Sequence, residues 1–160
     1  MEKTDQKLDE LLQEAMNSEI KAKEFYENAS DKAQSSAGKK LFKELAVFEQ
    51  NHYNKVKKII ENRTKGIQIE EQEITQHHSS IRSEIEGEIE PNKNEIVEVL
   101  NLAIEAEKNA QELYWKISEL YEENEGKNIF SNLAQDERNH QKILEDEIYH
   151  LSNKGTIIWE

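Results

Sequence analysis

Apolar residues recur along the chain at alternating steps of three and four, a spacing that places them on one face of a helix. Four long stretches follow this pattern, and the whole chain holds only five glycines and one proline to interrupt them. The pattern therefore predicts an all-α fold of four amphipathic helices. Their predicted bounds are about 5–32, 38–62, 92–121 and 127–152.

The second half of the sequence repeats the first at an offset of 88 positions, without a gap. Each half, 5–62 and 92–152, is therefore predicted to form a helical hairpin. The two hairpins would pack together to bury apolar faces that neither could bury alone, so residues 1–160 are expected to form a single domain. Identical pairs include Glu19/Glu107, Tyr26/Tyr114, Gly38/Gly126, Glu49/Glu137 and His52/His140.

A long connector, residues 63–91, joins the two predicted hairpins. One long crossover after the second helix is typical of the ferritin-like variant of the four-helix bundle. Isoleucines along the connector would lay it against the bundle, and we expect part of it to be helical. Its His77-His78 pair is interpreted as two solvated loop residues. The tail, 156–160, is short and apolar, and the pattern assigns it no structure.

Composition narrows the classes of function. The chain carries 34 acidic and 21 basic side chains for a formal charge of −13, which argues against nucleic acid as a partner. No apolar run approaches the length of a membrane span, and the first residues show no signal-peptide core. Cysteine is absent, which excludes disulfides, iron–sulfur ligation and thiolate zinc sites. We expect a soluble cytoplasmic protein with no membrane partner.

Six residues carry the candidate chemistry. The motif Glu-x-x-His occurs twice, and another glutamate precedes each copy by 30 positions. All six residues fall on the apolar seams of the predicted helices, with hydrophobic residues one turn away. The candidate ligands are Glu19, Glu49, His52, Glu107, Glu137 and His140.

Burial of these residues predicts a metal site. A bare carboxylate inside a bundle costs several kcal/mol, and no lysine or arginine lies on these stretches of the seams. Two divalent cations would balance four carboxylates. Each pair of glutamates is centred on a predicted turn, near residues 34 and 122, so antiparallel hairpins bring all four to mid-bundle. Carboxylate and imidazole ligands without thiolate suit iron or manganese and are also accessible to zinc.

Three further residues are candidates for contacts with the ligands. Tyr26 and Tyr114 lie two turns after Glu19 and Glu107, where a phenol could hydrogen-bond a ligand carboxylate or simply fill the core. Asp136 could accept the outer N–H of a histidine from the facing helix, or be exposed on the surface. No catalytic residue beyond the metal ligands is predicted.

These motifs resemble a known family. Glu19-x-x-Ala22-x-x-x-Tyr26, followed by Phe42-x-x-x-Ala46-x-x-Glu49-x-x-His52, is similar to the ferritin-like domain of the rubrerythrins. The second half repeats the match with Glu107, Phe130, Ala134, Glu137 and His140. The resemblance implies a centre of two iron ions and an enzyme that reduces hydrogen peroxide or O₂, as in the oxidative-stress response. It also implies a homo-oligomer, such as a dimer.

The sequence departs from that family at two points. Rubrerythrins typically carry a further glutamate one turn after the third-helix ligand, associated with redox-linked iron movement, and here Ala110 takes its place. They also commonly bear a rubredoxin domain with four cysteines, which this chain lacks. Electrons would therefore come from an external donor, such as a separate rubredoxin or a reductase.

Other functions stay open at this point. Iron oxidation and storage of the ferritin or bacterioferritin type uses a similar ligand set, although Gln50 stands where bacterioferritin has its haem-ligating methionine. A structural or regulatory bundle could hold an inert ion such as zinc. A hydroxylase would need a pocket for an organic substrate.

Overall fold

The computed structural model describes residues 2–66, 83–122 and 124–159, and the side chains of residues 2–4, 83–86 and 159 are not described. Four helices form a bundle in this part of the chain, which confirms the predicted all-α architecture of two helical hairpins joined by a long crossover. The predicted ends of the helices lie within about three residues of those observed. The elements are α1 (Glu2–Lys32), α2 (Ser36–Thr64), β1 (Ser83–Ile89), α3 (Lys93–Leu120), α4 (Asn124–Lys154) and β2 (Thr156–Trp159).

The two hairpins are built alike. In the first, the Ser30 hydroxyl donates to the carbonyl of Lys39 at 3.1 Å, and in the second, Ser118 donates to the carbonyl of Lys127 at 3.0 Å. These are the same bond at repeat-related positions, and each one ties the end of one helix to the beginning of the next. The internal repeat of the sequence is therefore also a repeat of local structure.

The apolar core is divided in two along the bundle. One cluster lies toward the α1–α2 turn and includes Phe42, Leu45 and Leu100. The other lies toward the α3–α4 turn and includes Leu12 and Phe130. The six candidate ligands lie between the two clusters, which seal the middle of the bundle from both ends. No helix in the described ranges has an apolar stretch long enough to cross a bilayer.

The expectation that part of the connector is helical falls mostly on residues outside the described ranges. The connector's described end, β1, is a strand that pairs antiparallel with β2 at the end of the chain, with Glu88 opposite Ile157 and Ile89 opposite Thr156. The physical reason is the alternation of acidic and other residues over 83–89, which has the period of a strand. Ile85 and Ile89 belong to this alternation, but Ile89 is 72% exposed, so the expectation that it lies against the bundle is wrong.

Other predictions for the connector lie outside the described residues, including His77-His78 and the isoleucines before β1. The tail, to which the sequence pattern assigned no structure, forms the strand β2. Its Ile157 and Ile158 are buried against the bundle, so the tail completes the apolar cluster at this end.

Two glutamates of the connector hold it against the α1–α2 turn. Glu90 accepts hydrogen bonds from the backbone N–H groups of Gln34 and Ser35, both at 3.1 Å, and from the Ser35 hydroxyl at 2.7 Å. Glu88 accepts from the backbone and hydroxyl of Ser36, at 2.9 and 2.7 Å. The first N–H groups of a helix have no partner within the helix and carry a partial positive charge, so two carboxylates stabilise the beginning of α2.

Gly38 allows this close approach. A Cβ at this position would lie 2.8 Å from a Glu90 carboxylate oxygen and 2.8 Å from the Ser35 hydroxyl. At the repeat-related position, a Cβ on Gly126 would collide with the ring of Tyr121. The glycines at this repeated position thus make room for different groups: Gly38 for a carboxylate and Gly126 for an aromatic ring.

The pKa of Glu90 predicts its effect on stability. Burial opposes ionisation of this side chain, but hydrogen bonds from Asn92, Ser35 and Gln34 outweigh it and lower the pKa below the usual 4.5. A lowered pKa in the folded state stabilises the protein above the unfolded pKa, and the contribution is lost as the pH falls through the folded pKa. We expect Glu90→Gln to lower the free energy of unfolding by about 1–3 kcal/mol at pH 7.

Urea denaturation at pH 7 and at pH 3.5 measures this effect. The difference between wild type and Glu90→Gln should shrink at the lower pH. Glu88→Gln is the matched control, because this neighbouring carboxylate makes similar bonds but is exposed, and it should cost less. Equal losses in the two variants, or none, would contradict the assignment of Glu90 as a buried cap.

Glu147 of α4 is buried beneath β2 and is expected to destabilise the protein when it ionises. Burial is the main cause that raises its pKa to about 7, and the charge of the nearby Asp146 adds to this shift. The hydrogen bond from the Ile158 N–H, at 3.2 Å, opposes it. Since the folded pKa exceeds the unfolded value of 4.5, stability falls as the pH rises from about 4.5 to 7. Glu147→Gln should therefore raise the free energy of unfolding at pH 8 by on the order of 2–3 kcal/mol.

Thermal unfolding of both proteins at pH 5 and pH 8, in the same metal state, provides the check. The gain from Glu147→Gln should be present at pH 8 and largely absent at pH 5. A gain of the same size at both pH values would show that packing and not ionisation is responsible.

Candidate metal centre

The structure brings all six candidate ligands together at mid-bundle, and none of them is more than 3% exposed. Glu19 comes from α1 and Glu107 from α3. The helices α2 and α4 each present a glutamate and a histidine three positions apart, a spacing that places both side chains on one helix face. The remaining four residues are Glu49, His52, Glu137 and His140.

Potential ligand atoms fall into two overlapping groups. One group combines Glu19 and His52 with Glu49 and Glu137, and the other combines Glu107 and His140 with the same two glutamates. Within each group the ligand atoms lie within 4.8 Å of one another. The two glutamates of the Glu-x-x-His motifs are thus shared by both groups, and each of the other two serves one group.

Only imidazoles balance these carboxylates within the described ranges. The Nδ1 atom of His52 lies 3.6 Å from a Glu19 oxygen and 2.6 Å from a Glu137 oxygen. The Nδ1 atom of His140 lies 3.5 Å from Glu49 and 3.7 Å from Glu107. No described lysine or arginine lies within ion-pair distance of the four glutamates, so their negative charge is left largely uncompensated.

This crowding of charge changes how readily the residues ionise. Burial raises the pKa of Glu49 and of Glu137 well above the usual 4.5, and repulsion from the neighbouring carboxylates adds to it. Burial alone would lower the pKa of the His52 imidazole, but attraction to Glu19 and the contact with Asp136 raise it to about 10. The cluster by itself therefore retains protons that a divalent cation would displace.

The two unshared glutamates respond in the opposite direction. Burial opposes the ionisation of Glu19 and Glu107, but hydrogen bonds from their neighbours outweigh it and lower both pKa values. For Glu19 these neighbours are Glu49, His52 and Tyr114. One carboxylate of each group is thus held in the charged form that binds a cation.

The donor atoms fit a pair of divalent cations. Each of the six candidate ligands has at least one buried nitrogen or oxygen atom without a hydrogen bond of ordinary geometry, although His52 Nδ1 and Glu137 Oε1 lie only 2.6 Å apart. Buried polar atoms are rarely left without a partner, and six of them pointing into one small region need a common explanation. His140 Nδ1 lies 3.5 Å from Glu49 Oε1 and 3.7 Å from Glu107 Oε2, separations that suit bonds of about 2.0–2.2 Å from these atoms to one ion. The six atoms are Glu19 Oε2, Glu49 Oε1, His52 Nδ1, Glu107 Oε2, Glu137 Oε1 and His140 Nδ1.

Two buried tyrosines hold the unshared glutamates across the bundle. The Tyr26 hydroxyl on α1 donates to Glu107 on α3 at 2.5 Å, and the Tyr114 hydroxyl on α3 donates in turn to Glu19 on α1. Burial and the nearby carboxylates raise the pKa of both phenols well above 10, so both remain protonated donors. The sequence left open whether these tyrosines fill the core or bond a carboxylate, and in the structure they do both.

The outer nitrogens of the two histidines have different surroundings. His52 Nε2 lies 3.4 Å from a carboxylate oxygen of Asp136, which is only 13% exposed. At the repeat-related position Phe48 packs edge-to-face on His140, with ring centroids 5.0 Å apart. The two halves of the centre are therefore chemically unequal, although the six candidate ligands repeat.

Lys55 was missed by sequence reasoning. It follows His52 by three positions and is mostly buried. Burial lowers its pKa, while attraction to Asp136 opposes this shift. The lysine thus lies close enough to stabilise the charge on Asp136, which in turn faces His52. Its spacing from the ligand was the available signal, because residues three apart share a helix face.

A cavity of about 360 Å³ lies between α1 and α3 and reaches the centre from one side. All four candidate glutamates contribute to its inner end. Ala22 and Ala110, at repeat-related seam positions, leave the space because their side chains do not fill it. The centre is thus closed along the bundle axis but can be reached from the side.

Comparison with known proteins places this geometry in context. The model of the rubrerythrin family matches residues 10–148, a range that includes all six candidate ligands. A hypothetical protein from Pyrococcus furiosus has a similar structure, with a TM-score of 0.71 and 29% sequence identity over 91% of this chain and 90% of that one. No curated protein matches the chain.

Asp136 is predicted to strengthen metal binding in the half that contains His52. A carboxylate that accepts the outer N–H of a ligating histidine orients the ring and makes it more basic, and its loss typically weakens metal binding about 10–100-fold. We expect Asp136→Asn to weaken the binding of one Co²⁺ ion by a factor in this range. Titration with Co²⁺, followed by visible absorption, measures the two binding steps.

Phe48→Leu serves as the control for this variant. It changes the matching position beside His140 without removing a hydrogen-bond acceptor, so both binding steps should remain close to those of wild type. If Asp136→Asn leaves both binding constants unchanged, the contact with His52 has no influence on the metal.

Proposed function

The chain belongs to the rubrerythrin family, and from this membership we propose that it is a di-iron oxidoreductase that reduces hydrogen peroxide or O₂. The observation that carries the proposal is the buried cluster in which ligand atoms of the six candidates form two overlapping groups, with all atoms of a group within 4.8 Å of one another. Carboxylate and imidazole donors without thiolate suit iron. The family membership and the resemblance seen in the sequence favour iron over manganese or zinc.

The overlapping ligand groups support a centre for two ions. Glu49 and Glu137 would contribute to both sites, Glu19 and His52 would complete one site, and Glu107 and His140 would complete the other. Bound iron would supply one electron per ferrous ion to an oxidant. For hydrogen peroxide the balance is one H₂O₂, two electrons and two protons giving two water molecules.

The protein's own residues prepare the site for this reaction. Tyr26 and Tyr114 fix the orientation of the two unshared carboxylates by hydrogen bonds, so these need not reorganise when a cation binds. The apolar clusters exclude water along the bundle axis. The cavity between α1 and α3 gives a small oxidant a path to the centre.

Electrons must be delivered from outside the centre. The chain has no cysteine, so it cannot hold the iron–thiolate site of a rubredoxin. We propose a separate electron donor, such as a rubredoxin or a reductase, that returns the oxidised centre to the ferrous state.

Anaerobic loading with Fe²⁺ followed by rapid mixing tests the proposal. Two irons per chain should bind, and stopped-flow absorption should show their oxidation, faster with H₂O₂ than with O₂. In the presence of a chemical reductant, each chain should reduce many equivalents of peroxide. Oxidation by O₂ alone, with iron accumulating beyond two per chain, would instead indicate storage, and no reaction with either oxidant would overturn the proposal.

Two glutamate variants on α4 separate the role of the ligands from that of buried charge. Glu137→Gln removes a shared ligand and should abolish both stoichiometric iron binding and oxidation. Glu147→Gln replaces another buried glutamate of the same helix, outside the centre, and should retain two irons and full activity. Loss of iron in both variants, or in neither, would contradict the assignment.

A further inference from the structure

The cavity between α1 and α3 is larger than hydrogen peroxide or O₂ requires. Its volume of about 360 Å³ compares with roughly 30 Å³ for one water molecule in the liquid. Cavities that bind small organic ligands range from roughly 300 to 1,000 Å³. Either oxidant would leave most of this space to be filled by something else.

The walls of the cavity are apolar where they approach the centre. Ala22 and Ala110 each lie one turn from a candidate ligand, and Phe25 and Leu113 contribute larger apolar surfaces. Leu102 lies at the mouth, where its side chain is 61% exposed. An apolar ligand that covers these walls is stabilised by the removal of their surface from water. Polar residues also line the cavity, namely Glu14, Ser18, Lys21 and Asn109.

The inner end has the opposite character. There the cavity meets Glu19, Glu49, Glu107 and Glu137, whose unpaired oxygens form the candidate metal centre. A ligand that fits both regions has an apolar body and a small oxygen-bearing group at one end. The oxygen-bearing group would lie at the carboxylates and the carbon skeleton against the alanines.

We propose that this cavity binds the carbon skeleton of an organic hydroperoxide and presents its O–O bond to the metal centre. The inference rests on the proposed function and names its substrate class. In the reaction, ROOH takes up two electrons from the external donor and two protons from solvent. The O–O bond breaks and two O–H bonds form, which gives the alcohol ROH and one water molecule.

Equilibrium binding tests the site without any turnover. Cumyl alcohol, the product expected from cumene hydroperoxide, is titrated into the Zn²⁺-loaded protein and followed by isothermal calorimetry. The wild type should bind it at one site per chain. Ala110→Leu should weaken binding at least tenfold because the added side chain fills the cavity beside the centre.

Two further variants make this result specific. Glu105→Leu places a leucine on the exposed face of α3, away from the cavity, and should bind the alcohol as wild type does. If Ala110→Leu fails to fold, Ala106→Leu narrows the exposed part of the same cavity and takes its place. Absence of binding to wild type, or equal binding to the cavity variant, would overturn the proposed site.

Steady-state kinetics then test the substrate class. The value of kcat/KM of the iron-loaded wild type for cumene hydroperoxide should equal or exceed that for H₂O₂. The Ala110→Leu variant should lose at least tenfold more with cumene hydroperoxide than with H₂O₂, because the added side chain excludes the carbon skeleton but only narrows the path that both oxidants share. An equal loss with both peroxides would overturn the assignment of the cavity to the organic group.

The two experiments distinguish this inference from the proposed function. If H₂O₂ is reduced and cumyl alcohol does not bind, the cavity proposal fails alone. If the alcohol binds and neither peroxide is reduced, the peroxide reaction is overturned for the whole protein and only the binding site stands.

Discussion

Four glutamate carboxylates meet in the interior of the bundle, and among the described residues only two imidazoles face them. Burying such a group of like charges is unfavourable unless protons or cations neutralise it. Burial and repulsion between these carboxylates raise the pKa values of Glu49 and Glu137. The surrounding structure is arranged around this charge. Two tyrosines donate hydrogen bonds to the unshared carboxylates, and the apolar clusters keep water away from both ends of the centre. A pair of divalent cations would neutralise this charge with the residues already in place.

The repeated hairpin supplies symmetry, and single positions then break it. Six candidate ligands and two tyrosines recur at the same offset, so each half brings one glutamate from its first helix and a Glu-x-x-His pair from its second. Asp136 beside one histidine and Phe48 beside the other make the two halves unequal. The two sites would therefore bind metal ions with different affinities, although their ligands are of the same types.

The sequence predicted the helices, the hairpins and the clustering of the six residues, because each follows from periodicity or from the offset between the halves. It could not predict features that depend on contacts between distant segments. Glu90 caps a helix more than fifty positions before it, Glu147 is buried only because the end of the chain folds over it, and β1 needs β2 as its partner. The cavity at Ala22 and Ala110 was also hidden, since the seam pattern predicts that such alanines pack in the core. In each case the missing information was which surfaces meet.

The most direct test of the metal centre combines a metal count with an unfolding measurement at pH 7.5. Native mass spectrometry of the protein with Fe²⁺ under anaerobic conditions should show two ions per chain. Urea denaturation should then show a gain over the chelator-treated protein of about 2.7 kcal/mol for each site when free metal is 100 times its Kd. A chain that binds no stoichiometric metal, and unfolds at the same urea concentration with and without chelator, would show that the buried carboxylates are neutralised in another way.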